Sequence, residues 1–342
     1  MKNPTAISQN PLRIEFRPYK RPFRRPIETA HGLWSEREGV IVRLESEDGR
    51  VGFGEAAPIP SFSAESPDQV RRRLTMIGER ICMDDFASLA DGLPSLGWAL
   101  DCALAQIVRT DSGDLGAVVV AGLLPAGETA LTALPDHFSK GWRTFKWKIG
   151  VLPAAEELAV ANELAASLPD GAKLRLDANG GLAGGFPAWL DWCAQHVEII
   201  DYLEQPLPPG FEGEMLADGY AKGVPIALDE SVAGVGALTD LSARFPQATM
   251  VVKPSLLGSM WQFLDWRTEY PEVHLVYSSG FETAVGFRAA FGLASIDPQP
   301  RPSGFGVVEF LEDDGLCPVE VGSRLVASDF PDQVEEAVWK QL

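Results

Sequence analysis

Six polar positions recur at nearly equal steps through the second half of the chain. They are Lys148, Asp177, Glu204, Asp229, Lys253 and the pair Ser278 and Ser279, separated by 29, 27, 25, 24 and 25 residues. A step of that size is one strand plus one helix with its connections. Each position closes a short apolar run, so each is expected at the C-terminal end of a parallel strand. Residues at one height on consecutive strands face a common point at the mouth of a barrel, where barrel active sites lie. A lone charged residue at a strand end is ordinary solvated loop chemistry; six in consecutive units read as one site.

Three of the six are carboxylates, and no His or Cys stands among them. Converging carboxylates repel one another unless a cation holds them. All-oxygen ligation suits Mg²⁺, with Mn²⁺ as a possible substitute, better than Ca²⁺, which would favour a flexible Asp-rich loop. Lys148 and Lys253, four units apart, would flank the metal on opposite sides. Lysine beside a divalent cation has a lowered pKa and can serve as a general base. A substrate carboxylate on the metal, with a base to one side, points to proton abstraction next to that carboxylate and a metal-stabilised enediolate. Lys146 shares the face of Lys148 in the run TFKWKIG, about 7 Å deeper along the strand. It is expected to pair with a carboxylate such as Asp177 and to support the base by its charge. Trp147 should face away, into helix–strand packing.

The elements that must position these residues show as alternation. From residue 115, AVVVAGLL, TFKWKIG, KLRLDANG, IIDYLEQP, PIALDES, TMVVKPSLLG and VHLVYSSG alternate with helical stretches such as 153–167, 186–196 and 283–294. Seven strands apolar on both faces, with a weak eighth near 304–311 and no GxGxxG after the first, count as a β/α barrel. Residues 12–55 read instead as antiparallel sheet, with a hairpin turn at Asp48-Gly49. Residues 21–32, rich in Pro and Arg and containing His31, read as a mobile loop. Residues 57–63 (APIPSFS) form a second loop, where Phe62, with Leu33, would cover something. Ser66-Pro67-Asp68 starts a helix to about residue 81, and residues 95–109 form a buried one.

With 342 residues, 46% hydrophobic, the chain can bury a large core. Its net charge of −19 argues against nucleic acid and anionic membrane surfaces, and an anionic substrate then needs a local cationic site. Arg21, Arg24 and Arg25 are candidates for drawing it in. No apolar run approaches a membrane span and the N-terminus has no signal-peptide core. Four scattered cysteines fit free thiols in a reducing cytoplasm. His137, His196 and His274 end no strand of the series and read as structural.

The motifs KxK, LRLDANG, YLEQP, ALDES, VVKPSLLG and YSSGFETAVG resemble the enolase superfamily, muconate-lactonising-enzyme subgroup. GFGEAAPIPSFSAES and the TAHG loop resemble the o-succinylbenzoate synthase family within it. The resemblance covers nearly the whole chain. It implies a modified (β/α)7β TIM-type barrel, an α/β barrel over residues 113–317. An N-terminal α+β capping domain, residues 1–112, would be joined by a C-terminal return at about 318–342. It implies Asp177, Glu204 and Asp229 as Mg²⁺ ligands, Lys148 as the base, and Lys253 opposite as a charge over the ring plane. The substrate implied is a small-molecule dicarboxylate, 2-succinyl-6-hydroxy-2,4-cyclohexadiene-1-carboxylate, dehydrated to 2-succinylbenzoate for quinone synthesis. Glu230 would point away from the metal and support the site from behind. Arg175 and Asn179 would orient ligands or substrate, and His31 and Phe62 would touch substrate from the lid. Ser278, Ser279 and Gly280 would meet the distal carboxylate, Gly280 through its N–H alone because the family often has a third serine there. LEQP stands where some relatives have LEEP. A homo-oligomer is compatible with all of this.

The same metal and lysines would equally serve an N-succinylamino acid racemase or a dipeptide epimerase. An epimerase should carry an acidic Asp-x-Asp motif after the last strands; Asp297-Pro298 lacks it, and Glu312-Asp313-Asp314 is a weak substitute. A non-catalytic metal-binding barrel would require the loss of a lysine or carboxylate, and all five are present.

Overall fold

Strands that alternate and strands that are apolar throughout separate the chain into two sheets of different kind. The computed structural model describes residues 10–29, 32–60, 62–108 and 115–342. In the N-terminal part, β1 (Leu12–Thr29), β2 (Gly32–Glu45) and β3 (Val51–Ala56) form an antiparallel meander. β4 (Arg80–Ile81) adds to the free side of β1. Gly49, at φ 83°, supplies the left-handed turn between β2 and β3. Helix α1 (Pro67–Thr75) starts on a capping box between Ser66 and Gln69. After the short α2 (Phe86–Leu89), α3 (Pro94–Val108) lies on the sheet and is buried almost all round. It comes close because β3 offers no side chain at two positions. A Cβ on Gly52 or Gly54 would stand 2.0 or 1.9 Å from the carbonyl oxygens of Ala103 and Ala99.

Two local expectations are corrected here. Residues 21–29 are not a loop but the outer half of a long hairpin arm, paired with β2 as far as Thr29 opposite Gly32. The prolines are absorbed at a register irregularity between Pro22 and Ile27, where the ladder is interrupted in any case. His31 lies outside the described residues. The first helix stops at Thr75 rather than near residue 81, since Ile81 is buried opposite Leu12 as an edge strand.

The second sheet is parallel, seven strands in the order β12-β11-β10-β9-β8-β7-β6. These are β6 (Gly122–Leu124), β7 (Thr144–Lys148), β8 (Lys173–Asp177), β9 (Ile200–Glu204), β10 (Ile226–Leu228), β11 (Thr249–Val252) and β12 (Leu275–Tyr277). The intervening helices are α4 (Thr129–Ser139), α5 (Ala154–Ser167), α6 (Phe186–Gln195), α7 (Glu212–Lys222), α8 (Val235–Arg244) and α9 (Met260–Glu269). α10 (Ala284–Ser295) follows β12. The sequence reading left out α4, whose Pro135 signals a break inside a helix that Ala130 and Leu134 bury. The run AVVVAGLL divides: β5 (Val118–Val119) pairs with β13 (Arg324–Leu325) in a separate ribbon, and only β6 joins the barrel. Parallel bridges Val120–Ser303 and Ser278–Gly304 tie residues 303–304 to both edges and close the ring as an eighth stave. A tight 3₁₀ turn, residues 306–310, follows in place of further strand.

Period two then sorts the staves. Tyr202, Ala227, Val251 and Val276 meet inside the ring. Trp147, fully buried, faces the helices and packs against Trp189. Two carboxylates of the N-terminal part end barrel helices. Asp101 of α3 accepts the Met260 N–H at 3.0 Å and the Ser259 hydroxyl at 2.6 Å. Glu55 of β3 accepts the N–H groups of Thr283, at 3.0 Å, and Gly286, at 2.9 Å, together with the Thr283 and Tyr19 hydroxyls. Both satisfy donors that a helix leaves unpaired at its start. The last helix, α11 (Val334–Gln341), packs Val334, Val338 and Trp339 against Tyr19, Ile41 and Phe53. The four cysteines are free, and among the described residues no helix is long and apolar enough to cross a membrane.

Because α3 sits on the bare backbone of β3, Gly54→Ala should lower unfolding free energy by about 3 kcal/mol. Gly78→Ala, with open space around it, should stay within about 1 kcal/mol of the parent. Urea denaturation of both variants measures the contrast.

Candidate active site

The same alternation that places Ala227 and Val251 inside the ring carries the next inward residues to its mouth. On one rung, Lys148 pairs in register with Asp177, and Asp177 with Glu204. Asp229, Lys253 and Ser278 follow the last residues of β10, β11 and β12. One layer down, Lys146 is in register with Arg175, and Arg175 with Tyr202.

Lys146 reaches up between two carboxylates, 2.9 Å from Asp177 Oδ2 and 2.8 Å from Glu204 Oε1. Burial works against its ammonium, but the charges of Asp177 and Glu204 outweigh that and hold its pKa well above the ordinary value. Burial also opposes ionisation of Asp177, yet Lys146 prevails and keeps its pKa low. Glu204 goes the other way: burial, with the charge of Asp177 next and Asp229 adding, pushes it up to about 8. Its second oxygen, Oε2, is buried with no hydrogen-bond partner. Lys253 Nζ pairs with Asp229 Oδ1 and lies 4.2 Å from the centre of the Phe62 ring. The Phe62 ring thus lies against Lys253, while Leu33 stands 74% exposed on the hairpin arm. Among the described residues Lys148 has neither an ion pair nor a hydrogen bond, although it shares the rung with Asp177.

As they stand, no three acidic, His or Cys side chains among the described residues gather closely enough to hold one ion. Two ammonium groups occupy the carboxylates instead, Lys146 on Asp177 and Glu204, and Lys253 on Asp229. The donor set nevertheless fits a hard divalent cation. It is all carboxylate, it stands on three consecutive strands, and it includes the buried, unpartnered Glu204 oxygen.

Several supporting residues lie elsewhere than expected. Arg175 does not reach a ligand: its Nε donates to Asp201 at 2.7 Å and its Nη1 to the Pro302 carbonyl at 2.7 Å, bracing the ring below the mouth. Among the described residues Glu230 reaches Asp177 only through Asn179, whose N–H donates to Asp177 Oδ1 at 3.1 Å. It accepts from Asn179 Nδ2 at 3.1 Å, and burial with the nearby charge of Asp229 pushes it up to about 7, so it belongs to the rim of the same acidic group. Ser279 and Gly280 are not free for a substrate carboxylate. The Ser279 hydroxyl, at 2.6 Å, and the Gly280 N–H, at 2.8 Å, both serve Oε2 of the buried Glu282, whose Oε1 accepts from the Ser255 hydroxyl at 2.9 Å. The Ser278 hydroxyl is 3.3 Å from the Gly304 carbonyl, at the closing stave. Arg21 is buried in a bidentate pair with Asp314, and Arg24 donates to the Leu311 carbonyl, so neither is a free attractant for anions.

Sequence reasoning passed over Gln205. Its Oε1 accepts the Asp229 N–H at 3.0 Å, and its Nε2 donates to the Leu207 carbonyl at 2.9 Å. It fastens the end of β9 to the end of β10. A glutamate could accept but not donate, so glutamine rather than glutamate in the LEQP run suits this lattice. The positive φ of Gln205, 37°, has no signature in the sequence.

If Lys146 neutralises two buried carboxylates, Lys146→Met should cost about 3 kcal/mol of unfolding free energy in the presence of a chelator. Adding Glu204→Gln should recover part of the loss. Equal stabilities of single and double variants in urea titrations would contradict the pairing.

Residues 16–107 match the family described as MenC, N-terminal domain, and residues 132–292 match that described as Enolase C-terminal domain-like. The o-succinylbenzoate synthase of Thermosynechococcus vestitus is 33% identical over 299 residues, 86% of this chain and 92% of the relative. That of Proteus mirabilis is 32% identical over 66% of this chain and 67% of the relative. A crystal structure of the Thermosynechococcus elongatus BP-1 o-succinylbenzoate synthase, complexed with Mg in its active site, superposes with TM-score 0.85. It is 30% identical and covers 96% of this chain and 100% of its own. The L-Ala-D/L-Glu epimerase of Bacillus subtilis, at TM-score 0.75 and 21% identity over 92% of this chain and 95% of its own, shares the fold. With its ring of strand-end carboxylates and lysines under an antiparallel cap, the chain belongs to the o-succinylbenzoate synthase family of the enolase superfamily.

Proposed function

We propose that this protein catalyses the Mg²⁺-dependent syn-dehydration of 2-succinyl-6-hydroxy-2,4-cyclohexadiene-1-carboxylate to 2-succinylbenzoate. The observation that carries the assignment of the base is the contrast among three lysines at one mouth. Lys146 and Lys253 are tied in ion pairs, and Lys148 is in none among the described residues. Asp177, Glu204 and Asp229 would hold the metal, and Mn²⁺, with similar preference for oxygen ligands, would substitute. Bound there, the cation supplies positive charge where the substrate carboxylate gains negative charge.

In its amine form Lys148 Nζ takes the proton α to the ring carboxylate. The electron pair of that C–H bond moves toward the carboxylate, and the Lys253 ammonium faces the developing charge from the opposite side. The pair then forms the last ring double bond as the neighbouring C–O bond breaks. The departing hydroxyl takes the proton back from Lys148 on the same face and leaves as water. Phe62 covers Lys253 and keeps bulk water off the reacting face. Lys146 stays behind as a fixed charge that keeps Asp177 and Glu204 in place.

Assay of the purified protein with the cyclohexadiene substrate, in parallel with N-succinyl amino acids, tests this reading; turnover of the amino acids alone would overturn it. Lys148→Ala should abolish turnover with folding and Mg²⁺ titration intact. Lys146→Ala should slow the reaction less. Asp229→Asn should raise the Mg²⁺ concentration for half-activity by about tenfold or more; an unchanged titration removes Asp229 from the ligand set.

A further inference from the structure

Arg37, in β2, is completely buried, yet among the described residues it has no carboxylate partner. Among the described residues its guanidinium donates only to backbone carbonyls. Nε donates to Gly280 at 2.9 Å, Nη1 to Pro58 at 2.5 Å and Glu38 at 3.0 Å, and Nη2 to Ala57. Carbonyl dipoles compensate a buried cation less completely than a carboxylate does, so stability alone would be served as well by an apolar side chain. What the planar fork does provide is geometry. It fastens three separate pieces of backbone: its own strand, the start of the 57–63 loop, and the turn after β12 in the barrel.

Among the described residues, the hydrogen bonds of the loop it holds otherwise run mainly within the loop. The Phe62 and Ser63 N–H groups donate to the Ile59 carbonyl at 3.1 and 2.9 Å, and the Ile59 N–H donates to the Ser63 hydroxyl at 3.0 Å. That turn carries the Phe62 ring to 4.2 Å from Lys253 Nζ. Ile59 is buried, and its Cδ1 would lie 3.2 Å from a Cβ built on Gly280, so the turn rests on the same barrel residue that Arg37 grips. Gly280 is fixed in its turn by Glu282 through its N–H.

We infer that Arg37 is a positioning residue: it locks the base of the 57–63 loop to the barrel and so holds Phe62 over Lys253 before substrate arrives. Without that lock, substrate binding must itself order the loop, which weakens binding and leaves the chemical step largely unchanged. The kinetic part of the test rests on the dehydration reading above; the exchange part does not.

Arg37→Lys, which keeps the charge but loses the fork, is compared with the parent and in a Phe62→Ala background. Arg37→Lys should raise KM for the cyclohexadiene substrate about tenfold, the worth of one charge-assisted bond, with kcat within about threefold. In the Phe62→Ala background the same change should alter KM by less than about twofold, because the ring it acts through is gone. Hydrogen exchange at residues 57–63 should quicken while β7 to β11 stay protected. An equal KM effect in both backgrounds, or an unchanged KM with a loss of folded protein, overturns the inference. If the parent does not dehydrate the substrate, the functional reading fails and exchange alone decides: faster exchange confined to 57–63 upholds the role of Arg37, and unchanged exchange ends it.

Discussion

Lys146 lies between Asp177 and Glu204, and the mouth of the barrel depends on that contact. Two carboxylates on adjacent strands, both buried, repel each other and each loses the water that would solvate it. An ammonium rooted one layer deeper answers both at once, at 2.9 and 2.8 Å. The register of β7, β8 and β9 follows from it. A slip of one residue would turn Lys146, Asp177 and Glu204 toward the helices and put Trp147 and the neighbouring apolar side chains inside. The apolar packing outside the ring and the ionic packing at its mouth therefore enforce the same alignment.

Around that contact, most polar groups at the strand ends are already satisfied. Gln205 joins two strand ends, Glu282 takes up the donors of Ser279 and Gly280, and Asp201 ties Arg175 and Arg301 under the floor. Two groups differ: Glu204 Oε2 is buried without a partner, and among the described residues the Lys148 side chain is in no ion pair. A rigid surround with a free group is what the proposed proton transfer requires, since the moving group must be free while its neighbours hold still.

The barrel was legible because its signal is repeated. Six strand ends at steps of 24 to 29 residues could be read from residue types alone, and period two assigned Lys146, Lys148 and Trp147 to their faces. What escaped the reading depends on partners that residue types and spacing do not announce. Glu282, only two residues on, turns back to claim the Gly280 N–H, and nothing near Arg175 says that Asp201, rather than a ligand, will face it. Prolines misled in the hairpin arm at residues 21–29, where long pairing outweighs a local preference against regular structure. The glutamine of the LEQP run looked like a neutral departure; its two-sided hydrogen bonding appears only when β9 and β10 lie together.

Asp101 and Glu55 reach the barrel helices across 158 and 228 residues of chain. During synthesis the N-terminal sheet and α3 leave the ribosome long before α9 and α10 exist. Both carboxylates then wait for the helices that use them, Asp101 until α9 follows β11 and Glu55 until α10 follows β12. The cap can thus begin to form early, but its fit to the barrel is among the last long-range contacts to be made. A nascent chain halted before residue 283 would carry the strands with Asp177, Glu204, Asp229 and Lys253, and still lack the Glu55 clasp that seats the cap on the barrel.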